Sequence, residues 1–203
     1  MKKLGVLCMV FVMLFAVVGC SGGQNKTASE LEKAQKAAEG YLHAIIKFDS
    51  DEMKKYMTEA EAAELGDEDI SEDMFAIDDD VNFLADIVKN ITYKFKSGEV
   101  KPEDTEAKLT YVITRADIDA VVKELNDQAM KAGDDAMPSI DVSKIATKPI
   151  EITVDLIKEK DEWKVNHADD LTLEVWGMYD FLEAIFALEG EGEGEGEGEG
   201  EGE

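Results

Sequence analysis

Residues 91–96, Ile91-Thr92-Tyr93-Lys94-Phe95-Lys96, decide how this chain is read. Apolar Ile91, Tyr93 and Phe95 alternate with polar Thr92, Lys94 and Lys96, the period that sends successive side chains to opposite faces of a strand. Just upstream the rhythm differs. Met74, Ile77, Val81, Leu84, Val88 and Ile91 recur at spacings of 3, 4, 3, 4 and 3, one apolar stripe along a helix. A helix therefore hands over to a sheet at Ile91, and Ser97-Gly98 ends the strand.

The same two rhythms extend outward in both directions. Leu31, Ala34, Ala38, Tyr41, Ile45 and Phe48 predict a first helix from Ala28, and Asp49-Ser50-Asp51-Glu52 a capped restart. The second helix carries Met53, Tyr56 and Met57 and runs on through Ala60 to Leu65, where Gly66 stops it. Downstream, Glu106 to Thr114 predicts a strand with Leu109, Tyr111 and Ile113 on one face. Asp117 to Lys131 predicts an inserted helix (Ile118, Val121, Leu125, Ala129), and 134–147 a loop containing Pro138. Ile150, Ile152, Val154 and Leu156 mark a third strand, Lys158 to Glu162 a turn, and Trp163-Lys164-Val165 a short fourth strand. Leu171 to Leu188 predicts an apolar-rich C-terminal helix. The expected fold is α+β over 28–188: three N-terminal helices on a curved antiparallel sheet of about four strands, with an inserted and a C-terminal helix.

The 203 residues include 47 Asp and Glu against 21 Lys and Arg, a net charge of −26. Such a balance excludes sequence-independent binding of nucleic acid, which needs a basic surface to release counterions. With 44% hydrophobic residues the chain is nonetheless able to form a core. Glu189 to Glu203 is different, a strict alternation of eight glutamates with seven glycines. Repelling charges beside the most flexible residue bury nothing, so this stretch is expected to be a disordered tail.

Met1-Lys2-Lys3 is a positive start, and Leu4 to Val18 is uncharged and too short to span a bilayer unaided. Val17-Val18-Gly19-Cys20 follows, and this N-terminus resembles the bacterial lipoprotein signal and its lipobox. The resemblance implies cleavage between Gly19 and Cys20, with acylation of the Cys20 thiol. Membrane lipid would then be a partner through acylated Cys20, and 20–27 a polar tether. It also implies that Cys8 leaves with the signal (1–19), so the mature chain has no thiol for a disulfide, a nucleophile or a zinc site.

The opening helix with Tyr41-Leu42-His43-Ala44-Ile45 and Lys47-Phe48-Asp49, the strand Ile91 to Phe95, and the closing Asp161-Glu162-Trp163-Lys164-Val165 carry a second resemblance. Over Ala28 to Val165 the chain is similar to the cone-shaped domain of the nuclear transport factor 2-like, cystatin-like superfamily. More narrowly, it resembles small bacterial lipoproteins that carry this domain. The resemblance implies a curved sheet under helices, often with a pocket between them, and names no ligand. The helix at Asp117 to Lys131 and the long C-terminal helix depart from it.

The candidate sites are few. Asp67, Asp69, Ser71 and Asp73 place oxygen atoms at alternate positions, as in a calcium loop, but Glu72 replaces the sharp-turn glycine and Asp78 the terminal Glu. The favoured reading there is a solvated acidic turn at a helix start. His43 points away from the apolar stripe of its helix, His167 follows the last strand, and no hydrolase, zinc-protease or phosphate-loop motif occurs. Trp163 is expected in the sheet core. Trp176, Tyr179 and Phe186, with Val175 and Leu182, form a broad apolar face that either packs on the domain or docks on a partner, and packing is favoured.

These features predict an extracytoplasmic, membrane-anchored, non-catalytic interaction module that needs no cofactor or metal and meets an envelope protein. An isomerase- or dehydratase-like enzyme with an interior Asp is the first rival. A solute-binding receptor component is the second.

Overall fold

The computed structural model describes residues 24–66, 83–132 and 140–191. The fold is α+β, as the alternating rhythms require. Four strands, β1 (Thr92–Gly98), β2 (Glu106–Ala116), β3 (Thr147–Glu159) and β4 (Glu162–Asn166), form one antiparallel sheet in the order β1-β2-β3-β4. Leu109 faces Val154, Tyr111 faces Ile152 and Leu156 faces Val165, so the inward set of each strand meets that of the next. The opposite face carries Lys94, Lys108 and Thr153 and is open to solvent.

The inward face is covered by α1 (Gln24–Lys47), which buries Ala34, Ala37, Ala38, Tyr41, Leu42, Ala44 and Ile45. Four alanines in that set let the helix lie close to the sheet, and Tyr41, Leu42 and Ile45 fill the space between. The helix begins at Gln24, four residues before the expected start and inside the expected tether. It is followed by Phe48, whose φ of +55° costs a non-glycine residue about 1–2 kcal/mol. That conformation lets Asp49 N–H bond Ala44 O at 3.0 Å and buries the Phe48 ring 5.5 Å from that of Trp176. Asp49 then accepts from Glu52 N at 2.9 Å and caps α2 (Ser50–Tyr56). Gly40 is needed where α2 crosses α1, because a Cβ there would collide with the Tyr56 ring.

The second helix does not run on to Leu65. It stops at Met57, and Thr58 caps a new helix, α3 (Glu59–Leu65). Thr58 Oγ1 accepts from Glu61 N at 3.2 Å and donates to Glu61 Oε2 at 2.7 Å. Between the two helices Met57 pairs beside Val165, and Thr58 N donates to Val165 O at 3.3 Å. The interruption thus covers the free edge of β4. Of the expected third helix, the described part is α4 (Phe83–Lys89), so four helices, where three were expected, precede the sheet among the described residues.

Between β2 and β3 lies the inserted helix α5 (Ile118–Ala132), followed by a 3₁₀ turn at Val142–Lys144. The C-terminal helix is two helices, α6 (Ala168–Trp176) and α7 (Met178–Glu191), broken at Gly177 with φ +79°. Helix α6 joins the main core through Ala168, Leu171, Val175 and Trp176. Helix α7 packs Phe181 and Ala184 against Ile118, Val121 and Val122 of α5 in a smaller second core. It continues to Glu191, three residues into the alternating repeat that was expected to be disordered, and 192–203 lie outside the described residues.

The start of α1 is clamped to the β3–β4 hairpin. Glu30 accepts from Lys158 Nζ at 2.8 Å, from Lys33 Nζ at 2.7 Å and from Trp163 Nε1 at 3.2 Å, and its side chain is 13% exposed. The Lys158 and Lys33 hydrogen bonds, in that order, hold its carboxyl down to about 2. A depressed carboxylate contributes stability above its unfolded value near 4.5 and loses it as pH falls toward 2. We therefore expect Glu30→Gln to lower unfolding stability at pH 7 by about 1–3 kcal/mol. The variant should also show a flatter dependence of thermal midpoint on pH between about 4.5 and 2.5. Equal acid slopes for the two proteins, measured by circular dichroism, would show that the clamp contributes nothing.

Candidate functional site

Two grooves of about 320 and 620 Å³ lie between α6 and β3, sharing Asp170 and Glu174 in their walls. The smaller is closed by Thr153, Asp155, Asn166 and His167, the larger by Arg115, Glu151, Tyr179 and Asp180. The sequence of α6 contributes Asp169, Asp170 and Glu174, that of α7 Asp180, Glu183, Glu189 and Glu191, and neither helix contains a Lys or Arg. Burial raises the Glu174 carboxyl above its usual range, Arg115 opposes that shift, and Asp180 adds to it.

Arg115 sets this arrangement. The inward parity of Leu109, Tyr111 and Ile113 brings the next inward position of β2 to Arg115, where the guanidinium is 3% exposed. Nη1 donates to Glu174 O at 2.8 Å and to Val175 O at 3.2 Å, carbonyls of the last turn of α6, the former also accepting from Gly177 N, and Nη2 donates to Asp180 of α7. Burial lowers its pKa from the usual arginine value, while the Asp180 charge and hydrogen bond act the other way, so it stays cationic. Its donors are thereby turned inward, and the groove presents carboxylates. Sequence reading ended this strand at Thr114 and missed Arg115, although continuing the alternation by one step marks it.

The expected site residues fall into three groups. Gly19 and Cys20, and the cation candidates Asp67, Asp69, Ser71 and Asp73, lie outside the described residues. Trp176, a candidate for partner contact, is instead buried in the domain: its ring stacks obliquely on Phe48 and its Nε1 donates to Ile45 O at 3.2 Å. The break at Gly177 separates it from the face it was expected to share. Tyr179 and Phe186 are exposed, at 49% and 65%, and Leu182 lies between them at 46%. The Tyr179 hydroxyl donates to Asp170 Oδ1 at 3.1 Å, which pins its ring across the α6–α7 corner. His43 and His167 are both exposed, and His167 occupies the cap position of α6 with φ +58°.

The interior holds two buried tyrosines. Tyr41 donates to Ala168 O at 3.0 Å and shares a 2.7 Å hydrogen bond with Thr172 Oγ1, joining α1 to α6. Tyr111 is fully buried, with the Tyr93 and Phe95 rings edge-on to it, and its hydroxyl has no hydrogen-bond partner among the described residues. Burial, then the charge of Glu39, push the Tyr111 hydroxyl well above its usual pKa. The Glu39 carboxyl is itself raised by burial. The buried polar side chains of the described residues are Ser50, Thr58, Arg115 and Thr172, with no carboxylate among them. No group of three or more His, Cys, Asp or Glu is placed to hold a metal ion, again among the described residues.

Comparison with known proteins finds no matching family model, no matching curated protein and no matching solved structure.

Two substitutions test this geometry. Gly177→Ala forces a Cβ into the Arg115 guanidinium at a left-handed φ, and should lower stability by about 2–4 kcal/mol in urea unfolding. A loss under about 0.5 kcal/mol would contradict the packing at this corner. Tyr111→Phe removes an unpartnered buried hydroxyl, so stability should stay equal or rise by up to about 1 kcal/mol. A clear loss would reveal a partner for that oxygen.

Proposed function

We propose that this chain is a lipid-anchored, extracytoplasmic interaction module without catalytic activity. The observation that carries the reading is the contrast between a filled interior and the bare apolar row Tyr179, Leu182 and Phe186 on α7. Aromatic and leucine side chains left in water are characteristic of docking surfaces on small domains. The anchor is carried by the lipobox at Val17 to Cys20, and no described helix is long and apolar enough to cross a membrane. From Cys20 to Gln24 the chain reaches at most about 14 Å, so an acylated Cys20 keeps the domain close against the bilayer surface. Confinement at that range supplies an effective concentration on the order of millimolar toward membrane neighbours, enough for weak contacts to matter.

An isomerase- or dehydratase-like enzyme needs an interior carboxylate facing a substrate cavity. Among the described residues, Glu39 beside Tyr111 and the buried, unpartnered Oδ1 of Asp117 are the features that favour it. Against it, Glu39 is only partly buried, and the space between α1 and the sheet is occupied by Tyr41, Leu42, Tyr111 and Ile152.

Replacement of Cys20 by Ala should move the protein from the membrane fraction to the soluble fraction and remove the mass of the acyl chains from the mature N-terminus. An unchanged membrane fraction, or a wild-type N-terminus free of lipid by mass spectrometry, would overturn the anchor.

A further inference from the structure

We propose that the row Tyr179, Leu182 and Phe186, with the acidic groove beside it, docks a basic amphipathic helix of a partner protein. This deepens the interaction reading above and rests on it. The three side chains sit at i, i+3 and i+7 on α7, the spacing with which one helix presents a ridge to another. The other side of α7 is already used, since Phe181 and Ala184 pack against α5. Tyr179 belongs to both surfaces, lining the groove with Asp170, Glu174 and Asp180 while its ring opens the apolar row.

Charge chooses the occupant. Neither α6 nor α7 contains a basic residue, and the donors of Arg115 are engaged by Glu174 O, Val175 O and Asp180. A second copy docking on the same face would bring these carboxylates against their own equivalents, a juxtaposition that opposes association. A bilayer is disfavoured, because anionic headgroups repel this acidic face. A partner whose apolar residues are flanked by Lys and Arg satisfies both the row and the groove. The Glu-Gly repeat, whose first residues are the last of α7, adds negative charge in sequence directly beside the face and would steer such a partner toward it.

The test uses the protein as purified from its own membranes, in nanodiscs of zwitterionic lipid. The probe is a synthetic helical peptide with leucines at i, i+3, i+4 and i+7 and lysines elsewhere, against a scrambled peptide of the same composition. The amphipathic peptide should bind at least about ten-fold tighter than the scrambled one and weaken about ten-fold between low and roughly physiological salt. Leu182→Asp and Phe186→Ser, both surface changes, should each weaken it about ten-fold with unchanged thermal midpoints. Leu182→Asp is decisive, because pure charge attraction would make that variant bind more tightly. Equal binding of both peptides, or no effect of either variant, overturns the proposal. So does binding of anionic vesicles through this face, or a photo-crosslinker at Leu182 that captures a second copy or a partner lacking a basic amphipathic segment. Such a captured partner would leave the interaction reading standing. No crosslink to any protein in cells would remove that reading as well.

Discussion

One buried cation holds the two halves of this domain together. Arg115 sits at the end of β2 with its guanidinium out of water, and its donors close the last carbonyls of α6 and reach Asp180 of α7. A desolvated guanidinium left without acceptors would cost several kcal/mol, so the turn at Gly177 is constrained to bring those acceptors to it. Glycine is required there twice, for its left-handed φ and because a side chain would occupy the guanidinium's place. From this joint the main core extends one way, through α6 and Trp176 to α1 and the sheet. The smaller core extends the other way, through α7 to α5.

That division explains why the inserted helix and the C-terminal helix, which look like separate additions to a helix-on-sheet domain, are one structural unit. Each has an apolar face too broad for the sheet to cover, since α1 already occupies it. They cover each other instead, leaving the outer row of α7 exposed. The exposed row is thus a consequence of fold geometry: two faces were needed for the second core, and a third was left over. A surface of this kind is retained in water only at a free-energy cost, which supports a role in association.

The clamp at Glu30 acts at the other end of α1. It accepts hydrogen bonds from two ammonium groups and an indole N–H, and so fixes the start of α1 to the hairpin of β3 and β4. With α1 rigid between the clamp and the Phe48–Trp176 contact, the position of the α6–α7 face relative to the start of α1 is set by helix length.

The sequence by itself determined the four strands, the helical segments apart from their breaks, and the α+β class, because a period of two or of 3.6 is local. Ile91 to Phe95 and the stripe of α1 were legible for that reason, as was the exposure of His43. Tertiary structure decided which apolar residues the core would take. Trp176 and Phe186 look equivalent along one continuous stripe, yet Gly177 breaks the helix and sends one inward and the other out. It also decided the partners of Glu30 and Arg115, a donor 128 residues away for the first and an acceptor 59 residues away for the second. No local rhythm encodes contacts across such separations; they exist only once the sheet has brought its strands into register.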